Sequence, residues 1–267
     1  MKISIVIPTY NEEKYLPKLL SSIKKQTFQD YEVIVADAFS TNKTREIAKR
    51  FGAIVVDGGL PSKGRNEGAK IAKGKYIYFL DADVKLPRNF LEKTINEIEK
   101  RQIDVATCYM RPISNLEIDK TLHNLANMII KITSRTKKPY APGFCIIAKK
   151  KLHKKINGFD ESLKMSEDHD YVRRMTNFGK FGVIESSFVY VSVRRLKKEG
   201  RLNLLKKYLL LEAYSLFKIK KSVDYEFGDF SRKKYSKIDK EIMRLERHIK
   251  NIYKKYRTTW NYIKKNL

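Results

Sequence analysis

The sequence predicts an α/β fold: a mainly parallel central sheet with helices on both faces, followed by a helical C-terminal extension. Three observations carry this reading. Continuous β-rich apolar runs end in polar or acidic residues at Pro8-Thr9, Asp37 and Asp81, as strands buried on both faces do. Segments with helical spacing alternate with those runs, which is the βαβ pattern of a parallel sheet. Residues 196–267 differ in kind, with 21 Lys+Arg against 8 Asp+Glu, a net of +13. A chain of 267 residues has room for one such core and an appendage.

Residues 3–7 form the first apolar run, stopped by Pro8. Asn11 is an N-cap type residue ahead of Tyr15, Leu16, Leu19, Leu20 and Ile23, which share one helical face. Residues 32–36 make the second strand, ending at Asp37; residues 41–44 cap a helix that stops at Gly52, and residues 53–56 make a third strand. A helix over 64–73 leads into the fourth strand, 75–80, and the triplet Asp81-Ala82-Asp83. Further on, the pattern gives a helix over 87–101, a strand over 103–108 and a helix over 119–135. Pro142-Gly143-Phe144 runs from loop into strand, and residues 157–160 make a turn. Ser166-Glu167-Asp168 opens a helix ending near 178–179, and short strands follow at 181–184 and 188–193. In the tail, residues 202–221 read as a helix with an apolar centre and lysines at both ends. Residues 235–256 carry apolar positions in 3-4 alternation, a helical seam.

The formal charge of +27 implies an anionic partner: phosphates, nucleic acid or an acidic membrane face. A Lys-rich surface with only three Gln (26, 29 and 102) is also what a heat-adapted protein carries. Cys108 and Cys145 have no metal or redox spacing and read as buried thiols of a reducing compartment. The opening apolar run is too short for a signal peptide and no stretch approaches a membrane span, so the expectation is a cytoplasmic protein, peripheral to the membrane. Residues 202–221 could lie in an anionic interface, or pack on the domain or on a second subunit as a homodimer.

In open parallel sheets, ligands sit beyond the carboxyl ends of the strands. Thr9 to Glu12, Asp37 and Asp81 to Asp83 therefore converge on one rim. Carboxylates such as Asp81 and Asp83 suit Mg²⁺ or Mn²⁺, with phosphate and water oxygens completing an octahedron; solvated turn carboxylates are the bland alternative. Asp37 is placed to accept from ribose hydroxyls or a base, or merely caps a turn. Lys63, Arg65 and Asn66 could meet a diphosphate, with surface solvation the alternative for Lys63. Glu167 and Asp168 open a helix, where one carboxylate can cap and the other serve as a general base.

Four ordered blocks resemble family 2 glycosyltransferases. Residues 4–12 (Ser-Ile-Val-Ile-Pro-Thr-Tyr-Asn-Glu) are similar to that family's opening strand and loop. Residues 32–42 resemble its second motif, residues 64–69 with 74–83 its third block, and Gly158-Phe159-Asp160-Glu161 with Glu167-Asp168 its acceptor-side block. The match covers roughly 1–195 and implies a GT-A fold. That region divides into a donor half (1–100) and an acceptor half (101–195), ahead of a basic extension (196–267). By resemblance, Pro8, Thr9, Tyr10, Glu12 and Asp37 hold the nucleoside of a UDP- or GDP-type sugar, with Lys63, Arg65, Asn66, Asp81 and Ala82 completing the donor site. Asp81 and Asp83 hold Mn²⁺ or Mg²⁺, and Asp168 is the base. Gly143, Phe144, Glu167, Arg194 and Arg195 fall on the acceptor or phosphate side. Two departures stand out: Ala38-Phe39 replaces the usual Asp-Gly, and Val191 to Arg195 lacks the metal-assisting His.

The activity implied is inverting sugar transfer to a hydroxyl of a glycan or lipid-linked acceptor. A polyprenyl-phosphate sugar synthase, which needs no base, is the alternative enzyme. A nucleic-acid-binding protein would explain the charge, but no binding motif is present and the aromatics fall in core-like positions. A relative that keeps the fold without turnover is at odds with the intact acidic pairs.

Overall fold

The computed structural model describes residues 1–136, 138–163, 166–201 and 244. The predicted helix over 202–221 and the seam over 235–256 lie outside them. Two compact units are present; among the described residues the first contains Met1–Ile113 and Leu122–Ser192, the second Ser114–Thr121 and residues 193–201.

The first unit is built on β1 (Ile3–Thr9), β2 (Tyr31–Asp37), β3 (Ile54–Asp57), β4 (Tyr76–Leu80), β5 (Val84–Lys85), β6 (Val105–Pro112), β7 (Cys145–Lys149) and β8 (Phe181–Val191), in one sheet of order β3-β2-β1-β4-β7-β6-β8-β5. β1 is buried at all seven positions and pairs in parallel with both β2 and β4. That arrangement explains the unbroken apolar runs. α1 (Leu16–Lys24) and α4 (Phe90–Arg101) bury Leu16, Leu19, Ile23, Phe90 and Ile95 in the same apolar cluster as Ile3, Ile5 and Ile7. α7 (Glu167–Thr176) buries Tyr171, Val172 and Met175 in a second cluster, which contains Val6, Ile77 and Phe79. Since Val6 alternates with Ile5 and Ile7, the two clusters occupy opposite faces of the sheet.

Several elements depart from the sequence pattern. Asn11 does not cap α1: it sits at φ 55°, and its Oδ1 accepts the Thr41 N–H at 2.9 Å, tying the loop after β1 to the loop after β2. α3 runs Pro61–Ile71, starting early because Pro61 fits the first helical turn. α2 (Thr44–Arg50) and α5 (Glu117–Thr133) fall close to expectation. β7 is antiparallel to both β4 and β6. An antiparallel strand buried on both faces carries the same apolar run as a parallel one, so periodicity does not reveal the reversal. The two short strands expected near 181–193 are one strand, β8. Its register against β6 jumps from Cys108↔Ile184 to Tyr109↔Phe188, and the extra Glu185 and Ser186 donate their N–H groups to Glu97. The short α6 (Lys150–Lys155) and two-residue β5 give no periodic signal. Cys108 and Cys145 are buried free thiols, as expected.

Candidate functional site

The rim at the carboxyl ends of β1, β2 and β4 gathers the residues singled out from sequence. Asp37, at the end of β2, is fully buried. Its carboxylate accepts from Thr9 Oγ1 at 3.0 Å, Ser40 Oγ at 2.6 Å and the Ser40 N–H at 2.9 Å, with Arg45 Nη1 at 3.5 Å. Arg45 also reaches Asp57 at 2.8 Å. Burial of an ionised carboxylate is tolerable only with such pairing. Pro8 lies in β1 beside Ala36, Tyr10 is half-buried, and buried Glu12 donates its N–H to Thr44 Oγ1 at 2.8 Å. Phe39 stands out: a non-glycine residue at φ 57°, with 66% of its surface exposed. The sequence reading includes Ser40 only as part of the second motif and assigns no role to it or to Arg45. Ser40, three residues after Asp37, has Asx-turn spacing and was legible; Arg45 gives no local signal.

Arg65 joins the rim to the start of α7. It is almost wholly buried on α3. Nη2 donates to Asp81 Oδ1 at 3.0 Å and to the Gly143 carbonyl at 3.4 Å, while Nη1 donates to Glu167 Oε1 at 2.8 Å. Its guanidinium lies 5.3 Å from the Phe159 ring, which stacks on Tyr171 at 3.8 Å and 8°. Among the described residues its buried Nε has no hydrogen-bond partner. Burial disfavours the charge on Arg65, but Asp81, Glu167 and Asp168 outweigh it and drive its pKa up. Glu167 is pushed above the ordinary carboxylate range by burial and by neighbouring Asp168, with Arg65 opposing.

Asp168 Oδ2 accepts the Gly143 N–H at 2.6 Å and Oδ1 accepts the His169 N–H at 2.8 Å; His169 Nε2 is 3.6 Å away, and its ring meets Tyr140 edge-on at 4.3 Å. Gly143 is constrained by what surrounds it. A Cβ there would lie 2.7 Å from Arg65 Nη2 and 3.3 Å from Asp168 Oδ2. Ser166, the residue at the N-cap of α7, sits at φ 59° and makes no side-chain capping bond.

Asp81 begins the turn after β4, where its N–H meets the Phe144 carbonyl at 3.3 Å. Its side chain is 38% exposed, Ala82 and Phe144 are buried, and the Asp83 carbonyl accepts the Ser192 N–H at 3.2 Å. Asn66 grips the turn before α7: Nδ2 donates to Phe159 O at 2.9 Å and Glu161 Oε1 at 2.8 Å, and Oδ1 accepts the Phe159 N–H at 2.8 Å. Lys63 is exposed on α3. Arg194 and Arg195 open α8 (Arg194–Glu199) in the second unit, with Arg195 Nε 2.9 Å from Glu199. Among the described residues no group of three or more His, Cys, Asp or Glu side chains could hold a metal by itself.

Residues 4–157 match the family model Glycosyl transferase family 2. The chain belongs to this family. An uncharacterized glycosyltransferase of Methanocaldococcus jannaschii is 32% identical over 231 residues, covering 80% of this chain and 78% of that protein. Poly(ribitol-phosphate) beta-N-acetylglucosaminyltransferase TarS of Staphylococcus aureus is 27% identical over 213 residues, or 73% of this chain. The chain spans only 36% of that relative's length. The crystal structure of S. aureus TarS 1–349 in complex with UDP-GlcNAc superposes with a TM-score of 0.61 at 26% identity, covering 72% of this chain and 58% of that one. Mannosyltransferase PcManGT from Pyrobaculum calidifontis, in complex with GDP-Man and Mn²⁺, has a TM-score of 0.61 at 17% identity, covering 79% of this chain and 64% of that one, and shares the fold. This family 2 glycosyltransferase thus has a GT-A fold, with Asp37, Asp81 and the Glu167-Asp168 pair within its first unit.

Proposed function

We propose that this family 2 glycosyltransferase moves a sugar from a nucleoside-diphosphate sugar to a hydroxyl of a glycan acceptor, with inversion at the anomeric carbon. The observation that carries the reading is Asp168 held on the Gly143 N–H, beside the guanidinium that also binds Asp81. Asp168 takes the proton from the acceptor hydroxyl as its oxygen attacks the anomeric carbon. The bond from that carbon to the diphosphate breaks on the opposite face, and the electron pair leaves with the nucleoside diphosphate. A carboxylate in that position favours a hydroxyl acceptor over a lipid phosphate, which is already ionised. The loops after β1 and β2, organised around Asp37, receive the nucleoside.

Asp81 and Asp83 are the residues that would hold Mn²⁺ or Mg²⁺. Both are hard oxygen donors, and Asp81 is partly exposed with Oδ2 free of hydrogen bonds among the described residues. With only two carboxylates on offer, the ion would complete its shell with phosphate and water oxygens. When bound it neutralises charge building on the leaving diphosphate. The test is UDP-GlcNAc and GDP-mannose hydrolysis by the full chain with and without Mn²⁺. Release of nucleoside diphosphate that requires metal supports the reading; no binding or hydrolysis of either donor counts against it.

A further inference from the structure

Four side chains outside the constellation above form a second surface. Along β6, Ala106, Cys108 and Met110 belong to the cluster on the α1/α4 face. Val105 belongs to the α7 face, so Tyr109 and Arg111, alternating with the former set, lie on the face that carries α7 and Asp168. Along β8, Val189 and Val191 point to the α1/α4 face, leaving Phe188 and Tyr190 beside Tyr109 and Arg111, with which they pair in register.

The Arg111 guanidinium lies 3.8 Å from the Phe188 ring centroid, and Phe188 meets Tyr190 edge-on at 5.0 Å. The three aromatics are half-buried and Arg111 is exposed. Among the described residues Arg111 is paired with no carboxylate.

Topology sets this cluster at the reaction rim. β6 runs parallel to β4, because β7 between them is antiparallel to both. Tyr109 and Arg111 therefore sit at the carboxyl end of β6, two strands from Asp81, or about 10 Å at the usual strand spacing. Gly143, which holds Asp168, precedes the intervening β7. Two residues beyond Tyr190, the Ser192 N–H bonds the Asp83 carbonyl.

We propose that Tyr109, Arg111, Phe188 and Tyr190 form an acceptor subsite for an anionic glycan, one or two units from the reacting hydroxyl. This rests on the transferase reading above. The C–H face of a sugar or polyol stacks against the aromatic rings, whose amphipathic surfaces tolerate both hydroxyl groups and water. Arg111, held by Phe188, offers its unpaired donors to a phosphodiester or carboxylate of the acceptor.

Isothermal titration of the full chain with a poly(ribitol phosphate) oligomer and a neutral gluco-oligosaccharide of equal length tests it. Arg111→Gln should weaken the phosphodiester probe by roughly tenfold or more, the value of a lost charge-assisted hydrogen bond, and leave the neutral probe unchanged. Phe188→Leu with Tyr190→Leu should weaken the phosphodiester probe while UDP-GlcNAc and GDP-mannose binding and the melting temperature hold. Lys24→Gln, which removes the same charge from exposed α1, controls for general polyanion binding. Equal losses in Arg111→Gln and Lys24→Gln, or no effect of the aromatic changes, overturn the subsite while intact donor binding keeps the transferase reading. Absence of donor binding in the unaltered chain overturns both.

Discussion

Arg65 Nη2 lies 3.0 Å from Asp81 Oδ1, and through this pair a buried cation on α3 holds a carboxylate at the end of β4. Because Nη1 of the same guanidinium takes Glu167 at 2.8 Å, the end of β4 and the start of α7 share one counter-charge. Removing it leaves Asp81, Glu167 and Asp168 facing one another. Arg65→Met should cost about 3 kcal/mol of stability, the loss expected when one partner of a buried pair is removed. It should also depress turnover more than Arg65→Lys, which keeps the charge but not the fork. Urea midpoints and donor hydrolysis rates read the two effects; a wild-type midpoint in Arg65→Met would refute the shared counter-charge.

If Asp168 is the base, Asp168→Asn should leave donor affinity near wild type while transfer falls by roughly 10²–10⁴-fold. The amide can no longer take a proton, yet it keeps an oxygen for the Gly143 N–H, which is bound at 2.6 Å in the native site. Donor titration beside single-turnover kinetics separates the two. Loss of donor binding with transfer unimpaired in the complex would move Asp168 to the donor site.

Asp83→Ala should remove metal-dependent donor binding while the chain stays folded, as its melting temperature checks; the variant keeps the backbone carbonyl that accepts the Ser192 N–H. Calorimetry with UDP-GlcNAc, with and without Mn²⁺, gives the outcome. Equal metal enhancement in variant and wild type would exclude Asp83 as a ligand.

The depressed His153 gives a pH prediction. Burial, then the positive charges of Arg174 and Lys154, lower its pKa from 6.5 to about 4, and Nδ1 lies 2.9 Å from the Tyr171 hydroxyl. The unfolded chain takes up this proton near pH 6.5, the folded chain only near 4. The contribution to stability is therefore full above 6.5 and lost as pH falls through that window, amounting to about 3 kcal/mol. Denaturant midpoints between pH 7 and 4 should fall more steeply for the native chain than for His153→Asn, and an imidazole titrating near 6.5 in the folded protein would contradict it.

Much of this was legible in the sequence, and the reasons differ by residue. β1, β2 and β4 announce themselves because burial on both faces demands unbroken apolar runs, and their ends locate Asp37 and Asp81. What escaped depends on distance along the chain. Arg65 and Glu167 are 102 residues apart, so nothing local marks them as partners. Asn66 was one of three residues, with Lys63 and Arg65, read as able to meet a diphosphate, and nothing local shows that its amide also engages the turn at Phe159. Gly158 in that turn has φ +69°, and an added Cβ would collide with Asn66 Oδ1, a constraint set by contact across the fold. The jump in register along β8 was hidden because its exposed Glu185-Ser186 resembles a turn between two strands.

Phe39 occupies the position where the family pattern has glycine, and it does so at φ 57° with its ring exposed beside the loop that Asp37 organises. A non-glycine residue held in the left-handed region costs on the order of 1 kcal/mol, and an exposed ring recovers little of that by burial. Phe39→Gly should therefore leave folding stability within about 1 kcal/mol of wild type, because relief of strain opposes the greater freedom of an unfolded glycine. On the proposed reading the same change should weaken nucleotide binding, since a ring at the mouth of the nucleoside loop offers a face for a base to stack on, worth about 1–3 kcal/mol per base. Titrating UDP, GDP and their sugars into Phe39→Gly and the native chain measures this directly. A loss common to both nucleotides marks stacking, and a loss confined to one marks base selection. Unchanged affinity for both would remove Phe39 from the nucleoside site.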